Sequence, residues 1–400
     1  MLTSEENDIL TRVGSGTPLG ELFRRYWIPA LLSDEIPAPD CPPVRVKLLG
    51  EDLVAFRDSR GKVGLLDEYC SHRRASLFYG RNEECGLRCI YHGWKYDTEG
   101  NVLETPAEPA ASNLKHKVYH LAYSCKEAAG VVFTYMGPKE KMPRFPNYEW
   151  LTASPNHVVV AKFSLECNYL QALEGDCDPA HLPFLHLGKL DPENNIDLSH
   201  QRVIPTSYDI EETRIGLRVV VGRRDAENER VSNFIMPFIG CVPVGLRSNG
   251  ILDGFLVIYQ TPSDDYRTTR YNFRFKRSQP LSDYELNWDK SQIGPGHILK
   301  ANKHNDYLID REKQRTSDYT GIPGFRAQDA CVTESMGPIC DRTKEHLGFS
   351  DTYVIGLRRF LLKAARDLQE GKEAPGINTD ATEVDLNCTD VMMPSNVSGQ

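Results

Sequence analysis

The sequence predicts an α+β protein built from two folded regions. Its 400 residues are too many for one small module, and 40% hydrophobic residues are enough to build sizeable cores. Short apolar or alternating runs bounded by Gly, Asp and Asn fill residues 43–134, which is typical of a small β domain. Further strands and then a long amphipathic helix follow, and this order is typical of the α+β class.

The N-terminal segment, residues 1–42, is predicted to be helical. A short helix is expected at 6–13, followed by a Gly/Thr/Pro break at 14–18. A second helix is expected at 19–28, ending before Pro29. Both helices are predicted to be packing elements.

A β domain is predicted over residues 43–145. A Pro- and Lys-rich stretch at 137–143 favours a linker near its end. Alternating or β-branched runs predict strands at 44–49, 53–56, 63–66 and 131–134.

A second, mixed domain is predicted over residues 146–375, before a weakly periodic tail at 376–400. A helix is expected at 168–181, and an amphipathic helix is expected after Asp351. Strands are predicted at 217–222, 254–259 and 269–275.

Charge and composition exclude several classes of protein. The formal net charge is −9, so binding of nucleic acid over a broad basic surface is not expected. No run approaches the roughly 18 apolar residues of a membrane span, and the N-terminus is acidic where a secretory signal is basic. The 11 cysteines form no regular framework, as expected where thiols stay reduced. A cytoplasmic protein is predicted.

The first group of metal-binding residues is Cys70-Ser71-His72 followed by Cys89 and His92. Each half offers a thiolate and an imidazole, so two facing loops present two sulfurs and two nitrogens. This set fits a Rieske [2Fe–2S] centre, in which two His replace two Cys on one iron. Zinc also accepts such a set, but zinc motifs usually pair like ligands, whereas both halves here are mixed. The sequence therefore predicts a cluster bound through Cys70 and Cys89 on one iron and through His72 and His92 on the other.

A second group lies on the predicted helix at 168–181. At 100° per residue, Gln171, Glu174, Asp178 and His181 fall within about 80° of one another. This polar stripe lies among apolar neighbours, and buried carboxylates need a partner or a metal. The sequence therefore predicts a buried polar site on this helix.

Two His and one carboxylate with open positions form the facial triad of non-haem Fe(II) oxygenases. His181 and His186 offer two such ligands, and Pro183 is expected to break the helix so that the second imidazole turns back toward the first. Asp178 precedes His181 by one turn and is better placed to accept its ring N–H. Two satisfied core histidines are the alternative, which the Cys/His motif upstream disfavours.

The third ligand must come from elsewhere in the chain. The acidic segment 328–346 is the expected source, with Asp329, Glu334 and Asp341 as the options. Composition alone does not choose among them.

Together these residues resemble the Rieske non-haem iron ring-hydroxylating oxygenases, large or α subunits, of the phthalate-dioxygenase-like branch. The resemblance spans most of the chain. The motifs that carry it are Cys70-x-His72-Arg73, Gly80-Arg81, Cys89-x₂-His92-Gly93-Trp94-Lys95-Tyr96, Asn168-Tyr169-x-Gln171-x₂-Glu174-x₃-Asp178-x₂-His181-x₄-His186, Gln328-Asp329, Glu334-Ser335-Met336-Gly337-Pro338-Ile339 and Asp341-Arg342-Thr343.

The resemblance implies an all-β Rieske domain followed by a helix-grip (START-like) catalytic domain, in which a deep sheet wraps around a long helix. It implies Asp329 as the third iron ligand, because its position matches the family's carboxylate. Asn168, Gln171 and Glu174 are expected to form a hydrogen-bonded layer around the iron site, with polar residues on a helix face as the alternative.

The resemblance also implies an assembly. Family members are commonly homotrimers packed head to tail, and such trimers can stack as hexamers. The cluster of one subunit then lies near the mononuclear iron of its neighbour, and the residue matching Asp178 bridges the two centres.

The expected activity is that of a terminal oxygenase component. It would use O₂ and electrons from an NAD(P)H-dependent flavin/iron–sulfur reductase to hydroxylate an aromatic substrate. No G-x-G-x-x-G follows a predicted strand, so the reductase is expected to be a separate protein. Basic residues around the cluster loops offer a docking surface, with a solvated or subunit-contact surface as the alternative: Arg73, Arg74, Arg81, Arg88 and Lys95.

Two features of the sequence bear on the substrate. Pro179-Ala180 stand where phthalate-type enzymes tend to carry small hydroxyl residues, which weakens the case for phthalate itself. Arg218, Arg247 and Arg270 could hold an acidic substrate through bidentate contacts, against the alternative of solvated strand faces or salt bridges.

Three other functions remain open. A monooxygenase or an O- or N-demethylase would use the same metal centres, since the outcome depends on how the substrate lies above the iron. A zinc-containing protein that binds a hydrophobic ligand would use the first group for zinc. A protein that only transfers electrons would leave the polar helix stripe without a role.

Overall fold

The computed structural model describes residues 2–186, 204–223, 229–243, 247–248, 251–380, 386 and 388–390. Among these residues, no helix has the length and apolar character needed to cross a membrane. The helices are α1 (Ser4–Thr11), α2 (Pro18–Phe23), α3 (Glu149–Thr152), α4 (Tyr169–Asp176), α5 (Leu182–Leu185), α6 (Asp283–Asn287), α7 (Arg311–Thr316), α8 (Phe325–Ser335) and α9 (Thr352–Gln369). The strands are β1 (Trp27–Leu32), β2 (Val44–Leu48), β3 (Glu51–Arg57), β4 (Val63–Asp67), β5 (Arg81–Glu83), β6 (Gly86–Arg88), β7 (Lys95–Tyr96), β8 (Val102–Glu104), β9 (Ala122–Ala128), β10 (Val131–Tyr135), β11 (Val158–Leu165), β12 (Pro205–Glu212), β13 (Gly216–Arg223), β14 (Glu229–Ile235), β15 (Ile239–Val242), β16 (Arg247–Ser248), β17 (Ile251–Leu252), β18 (Gly254–Pro262), β19 (Thr268–Lys276) and β20 (Thr389–Asp390).

Two antiparallel sheets form the first domain. The larger has six strands in the order β1-β10-β9-β4-β3-β2, and the smaller has four in the order β5-β6-β7-β8. The predicted strands at 44–49, 53–56, 63–66 and 131–134 correspond to β2, β3, β4 and β10 and are confirmed.

The second N-terminal helix is shorter than predicted. α2 ends at Phe23, and β1 begins at Trp27 and pairs with β10. Residues 27–31 are all buried, and a continuous apolar run suits a strand that is covered on both faces. Pro29, which lacks an N–H, lies at a register shift where a missing ladder bond is tolerated. The domain boundary predicted between residues 42 and 43 would therefore place β1 outside the sheet to which it belongs.

The second domain is built on one antiparallel sheet with the order β11-β19-β18-β15-β14-β13-β12, and β20 pairs with β14. The long helix α9 packs against β12 and β13 and against α1, α2 and α4. Its buried side chains include Leu357, Leu361 and Ala364. The predicted α+β class, a β domain followed by a helix-grip domain, is confirmed.

One apolar core joins the two domains. The ring of Phe133 on β10 lies 5.9 Å from that of Tyr259 on β18 and 6.4 Å from that of Phe273 on β19. Since neighbouring side chains of a strand point to opposite faces, the other face of β19 carries Arg270 and Arg274. This polar face is buried as well, and it lies beside the second group of metal-binding residues.

Candidate metal centres

The first group of predicted ligands lies on two loops of the first domain. Cys70 follows β4, and Cys89 and His92 lie between β6 and β7. Both sulfurs are buried, whereas His72 and His92 are half-buried, with ring centroids 4.5 Å apart. Each loop closes on its own backbone, because Arg74 N–H donates to Cys70 O and Gly93 N–H donates to Cys89 O. The structure therefore brings the two imidazoles together and places the two thiols beside each other, on the same pair of loops.

The chemistry of these side chains fits an iron–sulfur cluster. The buried Nδ1 atom of His72 has no hydrogen-bond partner among the described residues, which is the state of an imidazole nitrogen aimed at a metal. Burial raises the pKa of the Cys89 thiol, and the adjacent Cys70 raises it further. Two sulfurs so close together ionise readily only beside a cation.

Two further side chains support the first loop: Tyr96, which belongs to the quoted motif without a predicted role, and His120, for which no role was predicted. The Tyr96 hydroxyl lies 3.0 Å from Cys70 Sγ, and burial raises the pKa of Tyr96, so this hydroxyl is the donor to a thiolate. His120 Nε2 lies 2.9 Å from the carbonyl oxygen of Asp67, which can only accept. Nδ1 of the neutral ring therefore accepts from the Ser71 hydroxyl at 2.7 Å.

The basic residues around the loops are largely paired. Salt bridges join Arg74 to Asp67, and Arg81 to Glu83. Arg88 and Lys95 both pair with Glu104. Arg73 is exposed and lies over the ring of Tyr91 at 5.4 Å, and Ile90 and Tyr91, which precede His92 in the chain, are exposed as well.

His181, His186 and Asp329 form the second centre. One ligand atom from each lies within 4.8 Å of the others. His186 Nε2 is 3.1 Å from Asp329 Oδ1. The side chains of His181 and Asp329 are 25% and 21% exposed and that of His186 is 2% exposed, so the group is reached from one side.

The other two options for the third ligand lie elsewhere. Glu334 accepts from the backbone N–H of Glu166 and from the Tyr307 hydroxyl. Asp341 is exposed and accepts from Thr343. The structure therefore brings only Asp329 of the three options to the histidines.

The local structure around the histidines differs from the prediction. α4 ends at Asp176 rather than at His181, because the residue before Pro179 is disfavoured in helical geometry. Asp178 and His181 are therefore not on a helical stripe with Gln171. Pro183 does not break a helix but occupies the first turn of α5, where a missing N–H costs nothing.

Each imidazole is oriented through its Nδ1 atom. Asp178 Oδ2 lies 3.3 Å from His181 Nδ1. Gln328 Oε1 lies 2.8 Å from His186 Nδ1, and the Gln328 amide group donates to Thr320 Oγ1 and Ile322 O. Because Gln328 Oε1 can only accept, His186 Nδ1 must carry the proton and donate it. With Nδ1 of each ring engaged, the Nε2 atoms of His181 and His186 are left for a metal. Gln328 belongs to the quoted motif, but no role was predicted for it.

Three predicted residues of the surrounding layer have other partners. Asn168 donates to Thr11 O and Asp265 O, and Gln171 donates to Thr333 O and Gly337 O. Glu174 is paired with Arg342 and Arg358, which lower its pKa although burial raises it. In the described residues, these side chains join α4 to neighbouring elements rather than to the two histidines.

The predicted arginines also differ in surroundings. Arg270 is buried and ion-paired with Asp176 at 3.5 Å. Arg218 lies 4.0 Å from Glu211 on the neighbouring strand. The side chain of Arg247 lies outside the described residues.

Burial and neighbouring charges determine the pKa values of the carboxyl groups at the second centre. Burial raises the pKa of Asp329, but His186, Arg270 and His181 outweigh it and hold this pKa below its usual value. Burial raises the pKa of the nearby Asp176 to about 6. A carboxylate that stays ionised beside two imidazoles can ligate a divalent cation.

Two family models match the chain. The Rieske [2Fe-2S] domain matches residues 26–120, and the LigXa C-terminal domain-like family matches residues 134–396. The solved structure of Pseudomonas putida CBB5 NdmA has a similar fold, with a TM-score of 0.65 and 22% identity over 88% of this chain and 94% of that one.

Curated relatives cover nearly the whole chain. The phthalate 4,5-dioxygenase oxygenase subunit of Pseudomonas putida is 38% identical, over 95% of this chain and 90% of that protein. The 3-chlorobenzoate-3,4-dioxygenase oxygenase subunit of Comamonas testosteroni is 37% identical, over 94% and 92%. The 5,5'-dehydrodivanillate O-demethylase oxygenase subunit of Sphingobium sp. is 31% identical, over 95% and 84%. The chain therefore belongs to the Rieske non-haem iron oxygenases, in the phthalate-dioxygenase-like branch, and is an oxygenase that carries a Rieske [2Fe–2S] cluster and a mononuclear iron.

Proposed function

We propose that the chain is the terminal oxygenase component of a multicomponent system and hydroxylates an aromatic carboxylate. Cys70, His72, Cys89 and His92 hold the cluster, and His181, His186 and Asp329 hold the iron. The observation that carries this proposal is the convergence of one ring nitrogen from each histidine and one carboxylate oxygen within 4.8 Å. When bound, the cluster supplies single electrons and the ferrous ion activates O₂.

The protein side chains orient and isolate this chemistry. Asp178 and Gln328 fix the tautomers of the two histidines through Nδ1. Phe325 stacks on the His186 ring with centroids 4.1 Å apart and keeps water from that side. The exposed parts of His181 and Asp329 leave the opposite side for substrate and O₂.

The electron route is proposed to cross between subunits of a homotrimer. His72 and His92 are half-buried beside the exposed side chains of Ile90 and Tyr91. Near the second centre, Phe184 and Tyr319 are also exposed, with ring centroids 6.4 Å apart. Two such apolar surfaces are suited to packing against each other in a head-to-tail assembly, where Asp178 would lie between the centres and gate electron transfer.

The electrons are proposed to come from a separate NAD(P)H-dependent flavin/iron–sulfur reductase. Each of the three relatives is named as an oxygenase subunit, which is one component of a larger system. Because Arg74, Arg81, Arg88 and Lys95 are each paired with a carboxylate, we expect docking to depend on the exposed Ile90 and Tyr91 more than on net positive charge. The predicted cytoplasmic location stays a prediction.

The substrate class is proposed from two relatives, which are named for phthalate and 3-chlorobenzoate. Both compounds are aromatic carboxylates. The third relative is named as an O-demethylase, so demethylation of a methoxylated aromatic acid is the second candidate function. The family membership leaves a zinc-containing binding protein or a pure electron carrier without support.

Product analysis separates these functions. The full chain, with a reductase, NADH and O₂, would be incubated with benzoate, 3-chlorobenzoate, phthalate and a methoxybenzoate, each beside its uncharged amide. We expect a hydroxylated product from at least one acid and less from the matched amide. Formaldehyde from the methoxybenzoate alone would establish the demethylase instead. Equal conversion of acids and amides would contradict the proposed substrate class.

A further inference from the structure

A buried row of alternating charges surrounds the carboxylate of the second centre. It contains three aspartates and three arginines, so its formal charges cancel. All except Asp329 have side chains no more than 7% exposed. In spatial order the members are Asp176, Arg270, Asp329, Arg326, Asp289 and Arg274.

The two oxygens of Asp329 lie in different surroundings. Oδ1 is 3.1 Å from His186 Nε2 and belongs to the group of metal-binding atoms. Oδ2 lies 4.0 Å from a terminal guanidinium nitrogen of Arg270 and 3.8 Å from one of Arg326. One oxygen therefore faces the histidines, while the other faces two positive charges.

The guanidinium of Arg270 is held in place by two buried neighbours. Its Nε–H donates to Asn272 Oδ1 at 2.9 Å, and its guanidinium lies 3.5 Å from Asp176. Asp176 in turn accepts from the amide group of Gln260 on both oxygens, at 3.1 and 2.9 Å. This guanidinium therefore cannot turn away from Asp329 without breaking buried bonds.

Arg326 is held in the same way. Its Nε–H donates to Asp289 at 2.6 Å, and the other oxygen of Asp289 accepts from Arg274 at 3.1 Å. Arg326 and Asp329 are also three residues apart on α8, which keeps them on one side of the helix. Two rigidly held guanidinium groups thus flank Oδ2.

We infer that Arg270 and Arg326 are positioning residues that make Asp329 a one-oxygen metal ligand. The inference rests on the proposed metal site at His181, His186 and Asp329. Two guanidinium groups within 4.0 Å of Oδ2 stabilise negative charge there by Coulombic attraction and oppose rotation of the carboxylate. Only Oδ1 is then offered to the iron, and the position that a second carboxylate oxygen would fill stays open for O₂ or substrate.

The test uses the full chain with its cluster intact and Co²⁺ as the probe of the mononuclear site. Difference absorption spectra, Co²⁺-bound minus metal-free, report the number of ligands, because the d–d bands of high-spin Co²⁺ weaken as that number rises. Arg326→Gln removes one guanidinium from Oδ2, and Arg326→Lys keeps the charge but loses the planar fork. Arg358→Gln is the matched control, because Arg358 is also buried and paired with two carboxylates, Glu174 and Glu345.

We expect R326Q to bind Co²⁺ no more weakly than the parent, since a positive charge near the dication is removed, but with a weaker d–d band. R326K should lie between the two, and R358Q should keep the parent's band. An unchanged band in R326Q would overturn the inference and leave Arg326 as a partner of Asp289 alone. Failure of the parent itself to bind Co²⁺ would instead contradict the proposed metal site.

A measurement on the parent keeps the inference testable if R326Q does not fold. Metal-induced infrared difference spectra of protein labelled with ¹³C at aspartate carboxylates report the coordination mode. Compared with a free carboxylate, one-oxygen binding widens the frequency separation between the asymmetric and symmetric carboxylate stretches, whereas two-oxygen chelation narrows it. A widened separation is expected, and a narrowed one would contradict the inference.

Discussion

The two metal centres are built in opposite ways. The proposed cluster ligands come from two neighbouring loops on a small β scaffold, with imidazoles that reach the surface. The proposed ligands of the second centre come from the region around α5 and from α8, far apart in sequence, and buried charges lie beside the carboxylate. An electron-entry site must be reachable from outside, whereas a site for O₂ chemistry benefits from a fixed, water-poor environment.

The largest expected effect is the separate loss of each centre. Asp329→Ala should remove the mononuclear iron and bring turnover below detection while the cluster signal is retained, because the two ligand sets share no residue. Cys89→Ser should remove the cluster while the mononuclear iron is retained. Iron analysis together with EPR of the reduced protein measures both. Asp341→Ala is the matched control, since this exposed carboxylate bonds only within its own turn in the described structure.

Asp178→Asn tests whether the two centres communicate through this residue. The variant should keep both metals but lose turnover by about 10–100-fold, because the charged partner of His181 Nδ1 is removed. Steady-state assays with the reductase are to be compared with single turnover of pre-reduced protein. Turnover equal to that of the parent would exclude a role for Asp178 in coupling the centres.

A smaller effect is expected at the cluster itself. Tyr96→Phe removes the hydroxyl that donates to Cys70 Sγ, and a hydrogen bond to sulfur favours the reduced, more negative cluster. The reduction potential should fall by about 60 mV, which for one electron is a factor of ten. Tyr123→Phe, which loses a hydroxyl bonded to Glu51 in the same domain, should leave the potential unchanged. Equal potentials in Y96F and the parent would contradict the account of this loop.

The smallest effect concerns the contact between the domains. Glu35 of the first domain pairs with Lys162 of the second at 2.8 Å. Burial opposes ionisation of Glu35, but His297 and Lys162 lower its pKa to about 2. Glu35→Gln should lower the free energy of unfolding by about 1–2 kcal/mol at pH 7. Urea unfolding measures this loss.

The pH dependence of this effect has a definite sign. A lowered folded-state pKa contributes stability above the usual pKa of 4.5, and this stability is lost as the pH falls toward 2. The difference between E35Q and the parent should therefore shrink below pH 4.5. Glu99→Gln, which breaks the exposed pair with Lys62, is the control and should cost at most about 0.5 kcal/mol. A constant difference from pH 7 to pH 3 would show that packing, not charge, is lost.

The difference between ligands that are close in sequence and ligands that are far apart explains which site residues the sequence could predict. Cys70, His72, Cys89 and His92 are close in sequence, so their spacing alone indicated a shared cluster. The choice of Asp329 over Glu334 and Asp341 needed the resemblance, because it depends on how α8 packs against α4, which no local pattern records. Four strands of the first domain, β2, β3, β4 and β10, were found because alternating or apolar runs are a local signal.

The errors have physical causes as well. Helical periodicity was extended through residues 24–28 and 177–181, where burial in a sheet and Pro179 end the helices. Arg270 was considered as a residue facing an acidic substrate, but its partners Asp176 and Asn272 come from contacts that only the folded sheet creates. Buried ion-pair networks combine residues from several elements, so spacing in the sequence does not reveal them.

The most direct test of two different centres in one chain is the metal content of the anaerobically purified protein, measured together with its EPR spectrum. We expect about three irons per chain, two of them in a cluster with a Rieske-type signal after reduction by dithionite. Addition of nitric oxide should produce a separate signal from the third iron, and Asp329→Ala should abolish only this signal. About two irons per chain with no nitric oxide signal, or zinc in place of the cluster after anaerobic reconstitution, would contradict the presence of two different iron centres.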